Sequence, residues 1–339
     1  MALDDPLPAP PTPTLPPPGR CDAEFASAGT LCRGWWYPGS ANGRGGCIVM
    51  AHGLGGLRSA GLEPYARRFA EAGFAVLLFD YRHFGASDGQ PRQWVSVRRQ
   101  LADWAAAVAF ARGQPGVDPD RIALWGSSFS GGHVLVTAAR DERVAALCAQ
   151  GPMMDGLAAT LNILRYAGIG QLLRLALRGL RDAAAALSGK PPVMLPLVGA
   201  PGTLAAMTTA DAEPGYRAIV GRDWVNAICA RFALGLAFYR PLRLARRVRC
   251  PALLIVADDS VAPASAALET ARRLGAHCEL HRWACGHFDI YRGAWLERGA
   301  ALELDFLRRA LGAAAPGEVQ RVIQTTGLRA PTQRSYEAA

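Results

Sequence analysis

The segment LWGSSFSGG at 124–132 holds the residue best placed for chemistry, Ser128. Gly126-Ser127-Ser128-Phe129-Ser130 fits the pattern G-x-S-x-G with serine in the last place. An apolar run precedes it, and Gly131-Gly132 opens a helical stretch after it. A strand that turns at once into a helix strains the turn residue and pushes its hydroxyl outward, and only small neighbours fit around it. Serine is small enough to replace the last glycine. The N-terminus of the following helix offers a positive dipole to a developing oxyanion. The bland alternative is a serine that merely caps a helix. Ser127 would point along the strand, and Ser130 lacks the spacing, so Ser128 is the expected nucleophile.

A serine hydroxyl needs a base, and the base needs an orienting acid. Of six histidines, His287 in CGHFDIY follows the last apolar strand-like run and precedes the last helix. His277 and His281 flank or enter that run, His133 lies in the helix after Ser128, and His83 precedes the serine. The acid should end the preceding strand, where ALLIVADDSVAP at 252–263 supplies Asp258 and Asp259. The D-x-V-x-P spacing favours Asp259. Asp258 is a second choice, and Asp155 in GPMMDG a third. Two backbone N–H groups must hold the oxyanion. Phe129 supplies one, and the turn AHGLGG at 51–56 supplies the other, most naturally through Leu54. No G-K-[ST] follows that turn, so a phosphate loop is excluded. His52 reads as structural.

These side chains must be carried by alternating strands and helices. Apolar runs without alternation occur at 47–52, 74–80, 122–128, 144–151 and 252–258, and a further strand-like run, CELHRWA, at 278–284. Helical stretches separate them near 62–72, 97–113, 130–140, 264–274 and 292–312. Strands covered on both faces read this way, which predicts an α/β fold with a mostly parallel sheet. A hairpin around 24–37 adds antiparallel edge strands. The chain then divides into a Pro-rich segment 1–20, a core over 21–156, an insertion 157–245, a second core part 246–313 and a tail 314–339. The insertion reads as a helical lid, or as a plain structural subdomain. Its Leu161, Ile163, Leu164, Leu172 and Leu173 are expected either to meet an apolar acyl group or to pack the lid.

Composition narrows the class. The chain has 339 residues and is half hydrophobic, with no apolar run long enough to span a membrane. Its start is acidic and then rich in proline, unlike a signal peptide. Eight cysteines form no C-x-x-C pair and fit reduced thiols, so the expected location is the cytoplasm. The net charge is +9, yet Lys190 is the sole lysine, a bias that speaks for genome composition rather than nucleic-acid binding. Residues 157–249 carry 13 basic side chains against four acids, so this stretch holds the whole excess. Such a patch can steer acidic partners. Nothing in the sequence asks for a cofactor or a metal.

The pieces AHGLGG, FDYRHFGASDGQPRQ, WGSSFSGGHV, VADDSVAP and GHFDIY together resemble the α/β-hydrolase superfamily over about 24–312. LVGAPGTLAAMTTADA at 197–212 and ARFALGLAFYRP at 230–241 are similar to segments of polyketide-transferase-like and dienelactone-hydrolase-like serine hydrolases. The resemblance implies Ser128 as nucleophile, Asp259 as acid and His287 as base, with Leu54 and Phe129 as oxyanion donors. It implies hydrolysis of an ester, thioester or lactone through an acyl-enzyme, or acyl transfer and cyclisation with the same triad. The substrate is then a small acyl compound, free or borne on CoA or an acyl carrier protein. A non-catalytic binding module on this fold is the reading from another class.

Overall fold

The protein is described by a computed structural model over residues 19–39, 45–258 and 261–312. Strands β1 (Cys21–Ser27) and β2 (Thr30–Tyr37) open it as a hairpin. Its two-residue turn places Ala28 and Gly29 at positive φ, as the right-handed strand twist demands. Then come β3 (Gly45–Ala51), α1 (Glu63–Glu71), β4 (Ala75–Phe79), α2 (Val97–Arg112), β5 (Val117–Ser127), α3 (Phe129–Ala138) and β6 (Val144–Gln150). A long insertion follows with α4 (Gly156–Leu187), β7 (Met194–Leu195), α5 (Ala212–Arg217), β8 (Ile228–Cys229) and α6 (Phe232–Gly235). The chain returns to the core with β9 (Ala252–Ala257), α7 (Ala264–Leu274), β10 (Cys278–Trp283) and α8 (Gly293–Gly312).

The main sheet runs β1-β2-β4-β3-β5-β6-β9-β10. Pairings from β4 onward are parallel, and the two at the β1 edge are antiparallel. This is the mostly parallel α/β arrangement that the apolar runs predict. Helices α1 and α8 cover one face of the sheet, and α2, α3 and α7 the other. Every residue of β4 and β9 is buried, which is why those strands read as unbroken apolar runs. The parallel strands β4, β3, β5, β6, β9 and β10 point their C-terminal ends toward one edge, the place where ligands meet open parallel sheets.

The insertion is anchored by its first helix. Asp155 caps α4 by accepting from the N–H of Leu157 and Ala158, and its carboxylate pairs with Arg240. The helix breaks at Gly168, where φ is +77° and ψ 171°, a region open in practice only to glycine. It stops at Gly189 with φ +64°, and the Lys190 N–H closes the end on the Ala185 carbonyl. Asp182, wholly buried, pairs with Arg231 and accepts from the Val193 N–H, so it ties α4 to the rest of the insertion. Among the described residues no helix is long and apolar enough to cross a membrane. All eight cysteines are free thiols.

Candidate active site

The turn between β5 and α3 has the strained geometry that its small residues allow. Ser128 sits at φ +55° and ψ −119°, at a cost of about 1–3 kcal/mol for a residue with a side chain. Gly126 is obligatory there, because a Cβ would lie 2.4 Å from the Ser130 carbonyl oxygen. Ser130 is accommodated by a polar contact rather than by size alone. Its hydroxyl lies 2.7 Å from that of Tyr81, which in turn accepts from the Trp104 indole.

The three neighbouring serines have different surroundings. Ser127 is buried beneath the turn, 2.6 Å from the Tyr291 hydroxyl. Ser130 is held by Tyr81. Ser128 Oγ lies 3.0 Å from Nε2 of His287. His287 stands in the loop after β10, buried and edge-on to Phe288. That loop is tightened by Asp289, which accepts from the Gly286 N–H at 2.8 Å.

The acids weighed in the sequence are separated by their partners. Asp258 pairs with Arg282 at 2.8 Å on the surface. Asp155 is engaged by Arg240 and by the start of α4. Asp259 lies outside the described residues.

The glycine turn after β3 approaches the serine closely. A Cβ on Gly53 would fall 2.9 Å from Ser128 Cβ, so only glycine lets this backbone reach Ser128. Phe129 heads α3, and its N–H is among those that have no acceptor within a helix. Leu54 and Phe129 both line the chamber above Ser128. His52, read from the sequence as structural, is buried beside the glycine turn. Its Nδ1 lies 2.9 Å from the Gly53 carbonyl oxygen, its Nε2 is 3.9 Å from Asp80, and burial lowers its pKa. Asp80 accepts from the backbone N–H groups of Arg58 and Ala86, which fixes the loop after β4. His133 lies inside the fold between Gln100 and Tyr239, its pKa lowered by burial to about 3.

The insertion contributes groups that the motifs did not reveal. Tyr216 donates to the Leu54 carbonyl at 2.7 Å, and the Trp224 indole donates to that of Gly55 at 2.9 Å. The glycine turn is thus gripped from above. Phe232 and Tyr239 pack their rings on Phe129. Beneath the insertion lies a chamber of about 330 Å³, walled by apolar side chains including Met153, Leu175, Leu195 and Met207. A narrow cleft of about 20 Å³ reaches Ser128 from the side of His287, Tyr216 and Phe288. Of the leucines and isoleucine singled out in the insertion, Ile163 and Leu172 line the chamber. Leu161, Leu164 and Leu173 instead face solvent, because α4 is apolar on two sides and only one meets the core.

The family model Hydrolase_4, described as serine aminopeptidase S33, matches residues 44–287. The chain belongs to that family. It is an α/β-hydrolase enzyme, as the quoted motifs imply. The chain is 41% identical over 298 residues to the quorum-quenching protein AidA of Acinetobacter baumannii, a match over 86% of this chain and 96% of that protein. It is 30% identical to the thiohydrolase aneE of Aspergillus aculeatus, a match over 73% of this chain and 80% of that one. The crystal structure of the α/β hydrolase GrgF from Penicillium superposes with a TM-score of 0.73 at 30% identity, over 88% of this hydrolase and all of that chain. These likenesses support an ester or thioester hydrolase, or an acyltransferase, of the same fold.

Proposed function

We propose that this enzyme transfers an apolar acyl group through a covalent ester on Ser128. The observation that carries the reading is the 3.0 Å approach of Ser128 Oγ to His287 Nε2 at a strained turn, beneath an apolar chamber. His287 takes the hydroxyl proton as the oxygen attacks the acyl carbonyl. The N–H groups of Leu54 and Phe129 receive the negative charge that develops on the carbonyl oxygen. His287 then gives the proton to the departing alcohol or thiol, and the acyl-enzyme remains. Water, deprotonated by the same imidazole, attacks that ester and releases the acid. Asp259 is the orienting acid in this reading. It is supported by the commitment of Asp258 to Arg282 and of Asp155 to Arg240.

The substrate class is a carboxylic ester, thioester or lactone whose acyl part is largely hydrocarbon, including polyketide-derived chains. Thioesters of CoA or of a carrier protein belong to it, supported by the relative named a thiohydrolase. Acyl transfer to an alcohol, or cyclisation, uses the same steps with another nucleophile in place of water. That branch draws support from a relative named a polyketide transferase, 38% identical over 192 residues. The free thiols fit a cytoplasmic setting. Ser128→Ala should abolish both turnover of p-nitrophenyl esters and labelling by a fluorophosphonate. Full activity in that variant overturns the assignment. Product analysis with and without an added alcohol separates hydrolysis from transfer.

A further inference from the structure

Helix α4 presents apolar side chains in two directions. Ile163, Leu172, Leu175 and Ala176 face the chamber. Ile169, Leu173, Leu177, Leu180 and Leu187 face solvent, with Leu173 63% and Leu187 91% exposed. At 3.6 residues per turn these five fall within about 80° of the helix circumference, so they form one continuous stripe. Leu161 belongs to the turns before the break at Gly168 and is also exposed, and Phe238, 85% exposed, sits on a short turn packed against α4.

The charge beside the stripe has one sign. Arg181 borders it on the side away from the chamber, as does Arg174, whose guanidinium is held by the Gly202 carbonyl and Gln171 Oε1, and Arg165 is exposed in the preceding turns. The single acid of α4, Asp182, is buried and paired with Arg231, so the helix shows no carboxylate to solvent. A leucine stripe flanked by arginines has the chemistry of a helix that lies in the plane of a lipid interface, its apolar face among acyl chains and its guanidinium groups at the phosphates.

We propose that the outer face of α4 seats this enzyme on an anionic lipid surface, with the chamber on an adjoining side of the same helix. A second copy is a poorer occupant. Two-fold pairing sets the same surface against itself, and would bring the Arg174–Arg181 flank against its like. An acidic carrier protein would satisfy the arginines. A flat lipid surface also covers the whole stripe, which runs about 27 Å from Ile169 to Leu187. This surface is independent of the acyl chemistry assigned to Ser128, and so is its test.

The full chain is floated with vesicles of phosphatidylcholine alone and with vesicles that also contain phosphatidylglycerol. It should float with the anionic vesicles, much less with the neutral ones, and less as salt rises. The combined variant Leu173→Ser, Leu177→Ser and Leu180→Ser should lower the bound fraction about tenfold or more. These side chains lie outside the chamber, so turnover of a short water-soluble ester should be unchanged and serves as the folding control. Arg165→Gln and Arg181→Gln should each weaken binding roughly fivefold. Absence of flotation with anionic vesicles overturns the proposal, as does equal flotation of the leucine variant. A dimer in light scattering that the leucine variant dissociates, without vesicle binding, assigns the face to a second copy and overturns it too. Salt-sensitive capture of an acidic carrier protein without vesicle binding does the same.

Discussion

The Tyr216 hydroxyl donates a 2.7 Å hydrogen bond to the carbonyl of Leu54, joining the insertion to the glycine turn across 162 residues of sequence. The bond fixes the peptide plane next to the one that carries the Leu54 N–H. Tyr216→Phe leaves that carbonyl without its donor at a cost of about 1–3 kcal/mol. The expected result is a kcat about tenfold lower with KM little changed, since an oxyanion donor acts in the transition state. Steady-state kinetics on one p-nitrophenyl ester checks this, and an unaltered kcat would remove the insertion from the catalytic geometry.

The buried serine beside Ser128 offers a sharp contrast. Ser127→Ala removes a hydroxyl held by Tyr291 and leaves Ser128 Oγ beside His287. It should keep fluorophosphonate labelling and most turnover while losing about 1 kcal/mol of stability. Intact-mass measurement after labelling reads the first expectation and chemical denaturation the second. Loss of labelling in this variant would mean that Ser127 does more than support the turn.

Chamber width should set acyl preference. Ala176 is half-buried on α4 and lines the chamber, so Ala176→Phe fills space that a long chain would occupy. Turnover of p-nitrophenyl acetate should hold, while kcat/KM for the decanoate falls about tenfold or more. A parallel loss on both esters would point to misfolding or to a substrate bound elsewhere.

Glu303 supplies a pH dependence of stability. It is fully buried on α8, accepts from the Trp125 indole at 2.8 Å, and burial raises its pKa to about 8. The folded state therefore keeps a proton that the unfolded chain releases above the ordinary glutamate value of 4.5. The unfolded state binds fewer protons in that window, so stability falls as pH rises from about 4.5 to about 8 and then levels off. Glu303→Gln keeps the oxygen acceptor and removes the titration. The melting temperature of the variant should gain on the native protein steadily across the window, by a few degrees at its upper end. Buried neutral His133 works in the other direction, and only in acid, where the unfolded chain takes up protons that it refuses. A constant gap between the two proteins from mildly acidic to mildly basic pH would rule out the Glu303 effect.

The core was legible because buried parallel strands have no polar side to disguise. β3, β4, β6 and β9 fall within a residue or two of their apolar runs, and the half-buried edge strand β10 matches its mixed run as closely. β5 does not, since it begins at Val117 and crosses the polar stretch Asp118 to Arg121 before the apolar run. Its first residue pairs with Gly45 of β3, a partner that local sequence does not name. Ser128 and His287 were legible as candidates for a related reason: Ser128 follows directly on the end of β5 and His287 lies four residues past the end of β10, where glycines mark sharp turns. The roof was not. Ile163 and Leu164 are adjacent and equally apolar, yet one lines the chamber and the other meets solvent. A helix apolar on two sides carries no internal sign of which side is core. The grip of Tyr216 and Trp224 on residues 54 and 55 is equally silent in sequence, because hydroxyl and indole groups so far along the chain have many carbonyls to choose from.

The arginine bias has a practical outcome at the end of α4. Lys190 is the only lysine in the chain, and it stands exposed just past the Gly189 stop. An amine-directed fluorophore thus finds one side chain, at the end of the helix that roofs the chamber. A dye there would report by its colour and anisotropy whether that roof shifts when an acyl group is loaded, with no cysteine replaced and no new residue introduced.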